Sequence, residues 1–267
     1  MKRTADILAV FACLAALSLF SCRTTTMNES GFLNRSLIHA GKSYRFVVYV
    51  PPNRERAKKL PVLLFLHGAG ERGDDGLRQT AVGVGSAIRW NPERFPMIVV
   101  FPQAPPQTQW LGDEAGFAMS ALEQAAEEFG GDPTRFYLTG LSLGGYGTWH
   151  LALERPGIFA AIVPVCGGIR KPETSQNVRQ SPLTIAAADP YAFVAEQVQR
   201  QRLAVWIFHG EADPLIPVSE SRRMRDELTA RGVEVRYTEY PRVGHNAWDP
   251  AYGTEELWTW LLGKRRG

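Results

Sequence analysis

Five short, nearly unbroken apolar runs constrain the fold of this chain more than any other feature. Val62 to Leu66 (VLLFL), Met97 to Phe101 (MIVVF), Phe136 to Thr139, Ala160 to Val165 and Ala204 to Phe208 (AVWIF) are each too short for a helix. A strand that is apolar on both sides belongs in a sheet covered on both faces. Tyr44 to Val50 (YRFVVYV) alternates in part and reads as an antiparallel strand, and Val233 to Tyr240 carries interleaved charges. Helical stretches lie between the strands. Glu114 to Phe129 stops at Gly130-Gly131, Leu143 to Arg155 at Pro156-Gly157, and Val218 to Arg231 at Gly232, while Glu255 to Leu262 closes the chain. This alternation predicts an α/β fold with a mostly parallel central sheet, helices on both faces and no separate cap domain. The longest irregular stretch, Arg170 to Asp189, is expected to form a loop over the site.

The first residues read as an address. Lys2 and Arg3 precede an apolar run from Ile7 to Phe20, too short to span a bilayer and suited to the core of a secretory signal peptide. The run ends in Leu19-Phe20-Ser21-Cys22, which resembles a bacterial lipobox. The resemblance implies an acylated Cys22 and an exported protein anchored at the bacterial cell envelope. The expected organisation is a leader over residues 1–21, an acylated N-terminus and tether over 22–35, and a catalytic domain over 36–267.

Composition narrows the function by exclusion. The net charge is +3 over 267 residues, and the only run of three consecutive basic residues is Lys264-Arg265-Arg266, so no nucleic-acid partner is expected. Two of the three cysteines fall within the first 22 residues, which rules out a disulfide framework. Cys166, at the end of an apolar strand, reads as a buried structural thiol.

Three strand-end loops carry candidate chemistry. Gly140-Leu141-Ser142-Leu143-Gly144 follows a strand and opens a helix, the context a nucleophile elbow requires. The sharp turn lifts a serine hydroxyl above the sheet, and the glycines avoid collisions across it. His209-Gly210-Glu211-Ala212-Asp213-Pro214 follows another strand and supplies Asp213 as the acid that orients an imidazole, with Glu211 as the local competitor. Gly244-His245-Asn246 follows the last strand. His245 is the candidate base, because an imidazole takes and returns a proton near neutral pH. Backbone N–H groups of Leu143 and of Ala69, in the loop His67 to Gly73, are the expected donors to an oxyanion. Trp110 and Trp248 are candidate substrate contacts through aromatic stacking. Arg72, Asp74 and Asp75 form either a polar contact for a sugar or a solvated, self-paired loop.

The segments LHGAGERGDD, GLSLGGYGTW, VCGG, FHGEAD and GHNAWDPAY together resemble the phospholipase/carboxylesterase-type α/β-hydrolases and are similar to feruloyl-esterase-like and polyhydroxybutyrate-depolymerase-like esterases. The resemblance runs from about Arg45 to Leu262. It implies ester hydrolysis by Ser142, Asp213 and His245 with no cofactor, and no metal site is expected. Short-chain or aromatic esters, including hydroxycinnamoyl and acetyl esters of carbohydrate, are the expected substrates. A serine peptidase of the prolyl-oligopeptidase kind is the alternative enzyme. A surface lipoprotein that binds carbohydrate without catalysis is the alternative from another class.

Overall fold

Hydrogen bonding joins eight strands into one sheet in the computed structural model, which describes residues 29–53, 55, 58–171, 178–185 and 187–267. The expected leader and Cys22 lie outside the described residues. The strands are β1 (Gly31–His39), β2 (Lys42–Val50), β3 (Leu60–Leu66), β4 (Ile98–Pro102), β5 (Gly131–Leu141), β6 (Ala161–Val165), β7 (Ala204–Gly210) and β8 (Val235–Tyr240). Their order is β1-β2-β4-β3-β5-β6-β7-β8. The β1–β2 and β2–β4 pairs are antiparallel, and the remaining pairs are parallel.

The helices are α1 (Val84–Trp90), α2 (Asp113–Phe129), α3 (Leu143–Glu154), α4 (Pro182–Ile185), α5 (Pro190–Gln201), α6 (Ser219–Ala230), α7 (Trp248–Gly253) and α8 (Glu255–Leu262). Strand side chains alternate between two cores. Val62, Leu64 and Leu66 face α2, α3, α5 and α6, whereas Leu63 and Phe65 face α1, α7 and α8. That two-sided burial is why the central strands are apolar without alternation. None of the helices among the described residues is long and apolar enough to cross a membrane.

The folded domain begins earlier than residue 36, the boundary expected from the sequence. Residues 31–35, assigned there to the tether, form the first half of β1 and pair with β2 from Gly31 opposite Val50. The turn between them places Ala40 and Gly41 at φ 46° and 76°, the two positive values of the turn that matches strand twist. Ala-Gly is a weak signal for that turn, and β1 is an edge strand whose residues are partly buried or exposed. The helix α5, also unforeseen, starts at Pro190 with the Asp189 side chain accepting the N–H groups of Tyr191 and Ala192.

Candidate active site

The parallel register puts Leu66, the last residue of β3, opposite Gly140 of β5, and Leu141 opposite Val165 of β6. The loops that leave these strands therefore emerge side by side at one end of the sheet. At Ser142 the backbone adopts φ 54° and ψ −115°, a strained conformation for a residue with a side chain. Its N–H donates to Val165 O at 2.9 Å, and its carbonyl accepts the N–H groups of Gly145 and Tyr146. The turn is closed so tightly that a Cβ on Gly140 would lie 2.3 Å from Gly144 O.

Asp213 sits in the turn after β7, its side chain fully shielded from solvent. Oδ1 accepts the N–H groups of Leu215 at 2.9 Å and Ile216 at 3.0 Å. Oδ2 lies 2.7 Å from His245 Nδ1. Burial alone would push this carboxyl up, but hydrogen bonds from His209, His245, Ile216 and Leu215 outweigh it and hold the group well below the usual carboxylate range. Backbone bonds from Glu211 N–H to Tyr240 O and from Ala212 N–H to Val243 O tie the acid loop to the histidine loop. His245 Nε2 then lies 2.9 Å from Ser142 Oγ. With Nδ1–H donated to the carboxylate, Nε2 is left to accept the serine proton.

Glu211, the competing acid, points elsewhere: it is exposed, and its Oε2 accepts the N–H of Arg242. The other histidines of the described residues have separate partners. His67 is buried, donating from Nδ1 to Gly68 O and accepting the N–H of Ala104 at Nε2. Burial lowers its pKa to about 4, so the ring is neutral at pH 7. His150 bonds Ser181 Oγ from α3, and His39 lies against Ser120. His209 lies against the Asp213 carboxylate, a contact the sequence did not signal.

Leu143 opens α3, so its N–H has no carbonyl partner one turn back in the helix. Ala69 opens a single 3-10 turn after Gly68, and a Cβ on Gly68 would touch the Leu141 side chain at 2.8 Å. The two expected oxyanion donors thus lie on neighbouring loops flanking Ser142.

The expected stacking role of Trp110 is not open to it. Its side chain is 1% exposed, its indole N–H donates to His67 O at 3.0 Å, and its ring packs edge-on against His67. It braces the loop that carries Ala69. Trp248 is half-buried and stands edge-to-face with His245 at 5.5 Å between centroids, beside the site. Asp75 caps the turn at Leu77 and Arg78 and accepts from Gln103, the self-paired arrangement. Cys166 is fully buried, and burial pushes its thiol well above the ordinary range. Its φ of 38° was not foreseeable, because the residue type gives no sign of it. Nor was the role of Glu220, whose carboxylate accepts the N–H groups of Ile169 and Arg170 and pins the loop after β6.

Residues 108–263 match the prolyl oligopeptidase family. The fold is also that of a thermostable esterase of known crystal structure, with a TM-score of 0.73 and 31% identity over 88% of this chain and 63% of that one. An uncharacterized secreted protein of Arthroderma benhamiae is 29% identical over 222 residues, 73% of this chain and 22% of the relative. A poly(3-hydroxyoctanoate) depolymerase of Pseudomonas fluorescens is 26% identical over 175 residues, 60% of this chain and 57% of the relative. The chain therefore spans well under two thirds of either relative's length.

Proposed function

The chain belongs to the prolyl oligopeptidase family, and on that footing we propose that it is a serine hydrolase that cleaves carboxylic esters through an acyl-enzyme. The observation that carries this reading is the continuous contact from Ser142 Oγ through His245 to Asp213, at 2.9 and 2.7 Å. His245 removes the Ser142 proton as the oxygen attacks the ester carbonyl, and Asp213 stabilises the imidazolium that forms. The N–H groups of Leu143 and Ala69 hold the oxyanion. His245 then protonates the departing alcohol and, in the second half, activates the water that releases the acid.

Short-chain or aromatic acyl groups, including acetyl and hydroxycinnamoyl esters of carbohydrate, are the proposed substrates. Support comes from the esterase and depolymerase likenesses and from Trp248, an aromatic edge beside His245. The family match also favours a second reading, peptide hydrolysis by the same three residues. A panel of 4-nitrophenyl acetate, butyrate and octanoate, methyl ferulate, acetylated xylan and an aminoacyl-4-nitroanilide separates the two. Esters are expected to turn over, and turnover of the anilide alone makes the protein a peptidase. Ser142→Ala is expected to abolish fluorophosphonate labelling and lower kcat at least about 10³-fold. Full activity in that variant overturns the reading.

Export with a lipid anchor at Cys22 belongs to the same proposal. It rests on the basic residues, apolar run and terminal cysteine of the first 22 residues and on the likeness to a protein described as secreted. Partition into detergent that is lost in Cys22→Ser is the expected result, and unchanged partition removes the anchor.

A further inference from the structure

His209 stands behind the acid of the site. It is the penultimate residue of β7 and is fully buried. Its Nε2 lies 3.0 Å from the Ile216 carbonyl oxygen and 3.3 Å from Asp213 Oδ2. Both partners are acceptors only, so Nε2 must carry the proton and share it between them. Nδ1 lies 2.7 Å from Ser221 Oγ, on the buried face of α6. The Ser221 hydroxyl braces the ring at Nδ1.

The orientation of that carboxylate matters for what happens on its far side. When Ser142 surrenders its proton, His245 becomes a cation and needs the negative charge of Asp213. A donor on the other side of the carboxylate orients the oxygen toward that cation. The Leu215 and Ile216 N–H groups fix Oδ1. His209 gives Oδ2 the second contact that keeps it facing His245.

We propose that His209, backed by Ser221, is a positioning residue that holds Asp213 Oδ2 toward His245. This rests on the reading of Ser142, His245 and Asp213 as the hydrolytic machinery. The test uses the full chain with His209→Phe, His209→Gln and Ser221→Ala, assayed on 4-nitrophenyl acetate per site titrated with a fluorophosphonate. Phenylalanine keeps the volume without the donor, and kcat is expected to fall about 10- to 100-fold with KM changed less than about two-fold. Glutamine places an amide N–H where Nε2 stood and is expected to restore most of the rate. Ser221→Ala, which removes a single neutral hydrogen bond, is expected to lose about 3- to 10-fold.

Wild-type kcat per titrated site in His209→Phe overturns the proposal, as does a fall only in the number of titratable sites. Should that chain fail to fold, wild-type kcat in Ser221→Ala overturns it. Proton NMR supplies a readout independent of turnover. The low-field His245 Nδ1 proton facing Asp213 is expected to shift in each variant that lowers kcat, and an unmoved resonance also overturns the proposal. Wild-type protein that resists fluorophosphonate, or an active Ser142→Ala, instead defeats the hydrolase reading.

Discussion

A side-chain carbon on Gly144 would lie 1.9 Å from the carbonyl oxygen of Leu66. The first turn of the helix after Ser142 is thus pressed directly against the end of the neighbouring strand. That contact packs the turn at Ser142 against the end of β3, from which the loop carrying Ala69 leaves, and no side chain can be inserted into it.

Gly144→Ala is therefore expected to destabilise the fold by at least about 3 kcal/mol, read as a lowered midpoint of urea unfolding. Gly253→Ala, at a site with nothing within 4 Å, serves as the control and is expected to change stability by less than about 1 kcal/mol.

The acid assignment divides two carboxylates in one turn. Asp213→Asn is expected to lower kcat about 10³- to 10⁴-fold, because the amide favours the wrong imidazole tautomer. Glu211→Gln is expected to leave kcat within about two-fold, since Glu211 only accepts the N–H of Arg242. Steady-state kinetics on both variants decide the matter, and the reverse pattern moves the role to Glu211.

His67 makes stability depend on pH in a defined window. Burial lowers its folded pKa to about 4, against about 6.5 in an unfolded chain. Between those values the unfolded chain binds a proton that the folded one refuses, so acidification from pH 6.5 to 4 favours unfolding by up to about 3 kcal/mol. The reason is visible in the contacts: a proton on Nε2 would confront the N–H of Ala104. His150, also held down by burial, adds in the same direction. The depressed carboxyls of Asp213 and Asp132 stabilise the fold above the unfolded carboxylate range and lose that contribution only at still lower pH. His67→Gln is expected to be less stable at pH 7 and to show a flatter dependence across the window, measured by urea unfolding at several pH values.

The two tryptophans are expected to separate stability from selectivity. Trp110→Phe loses the hydrogen bond to His67 and is expected to cost about 1–2 kcal/mol, with the ratio of kcat/KM for methyl ferulate and 4-nitrophenyl acetate unchanged. Trp248→Ala is expected to shift that ratio about 2- to 10-fold against the aromatic ester. A changed ratio in Trp110→Phe would restore the stacking role that its burial denies it.

What the amino-acid sequence determined by itself was whatever depends on neighbours along the chain. Unbroken apolar runs such as VLLFL and AVWIF predicted buried parallel strands, because a strand covered on both faces has no polar side to display. The glycines around Ser142 marked a turn that only small residues can make, and the order Ser142, Asp213, His245 along three strand-end loops pointed to one site. Only the tertiary structure decided which segments press against one another. Gly31 to Arg35 became an edge strand because β2 offered hydrogen bonds, not because those residues are apolar. Trp110 became a brace because the loop after β3 needed a donor beneath it. His209 met Ser221 because α6 packs back against β7. Such contacts join residues whose local patterns are silent about each other, and the order of strands in the sheet sets the distance between them.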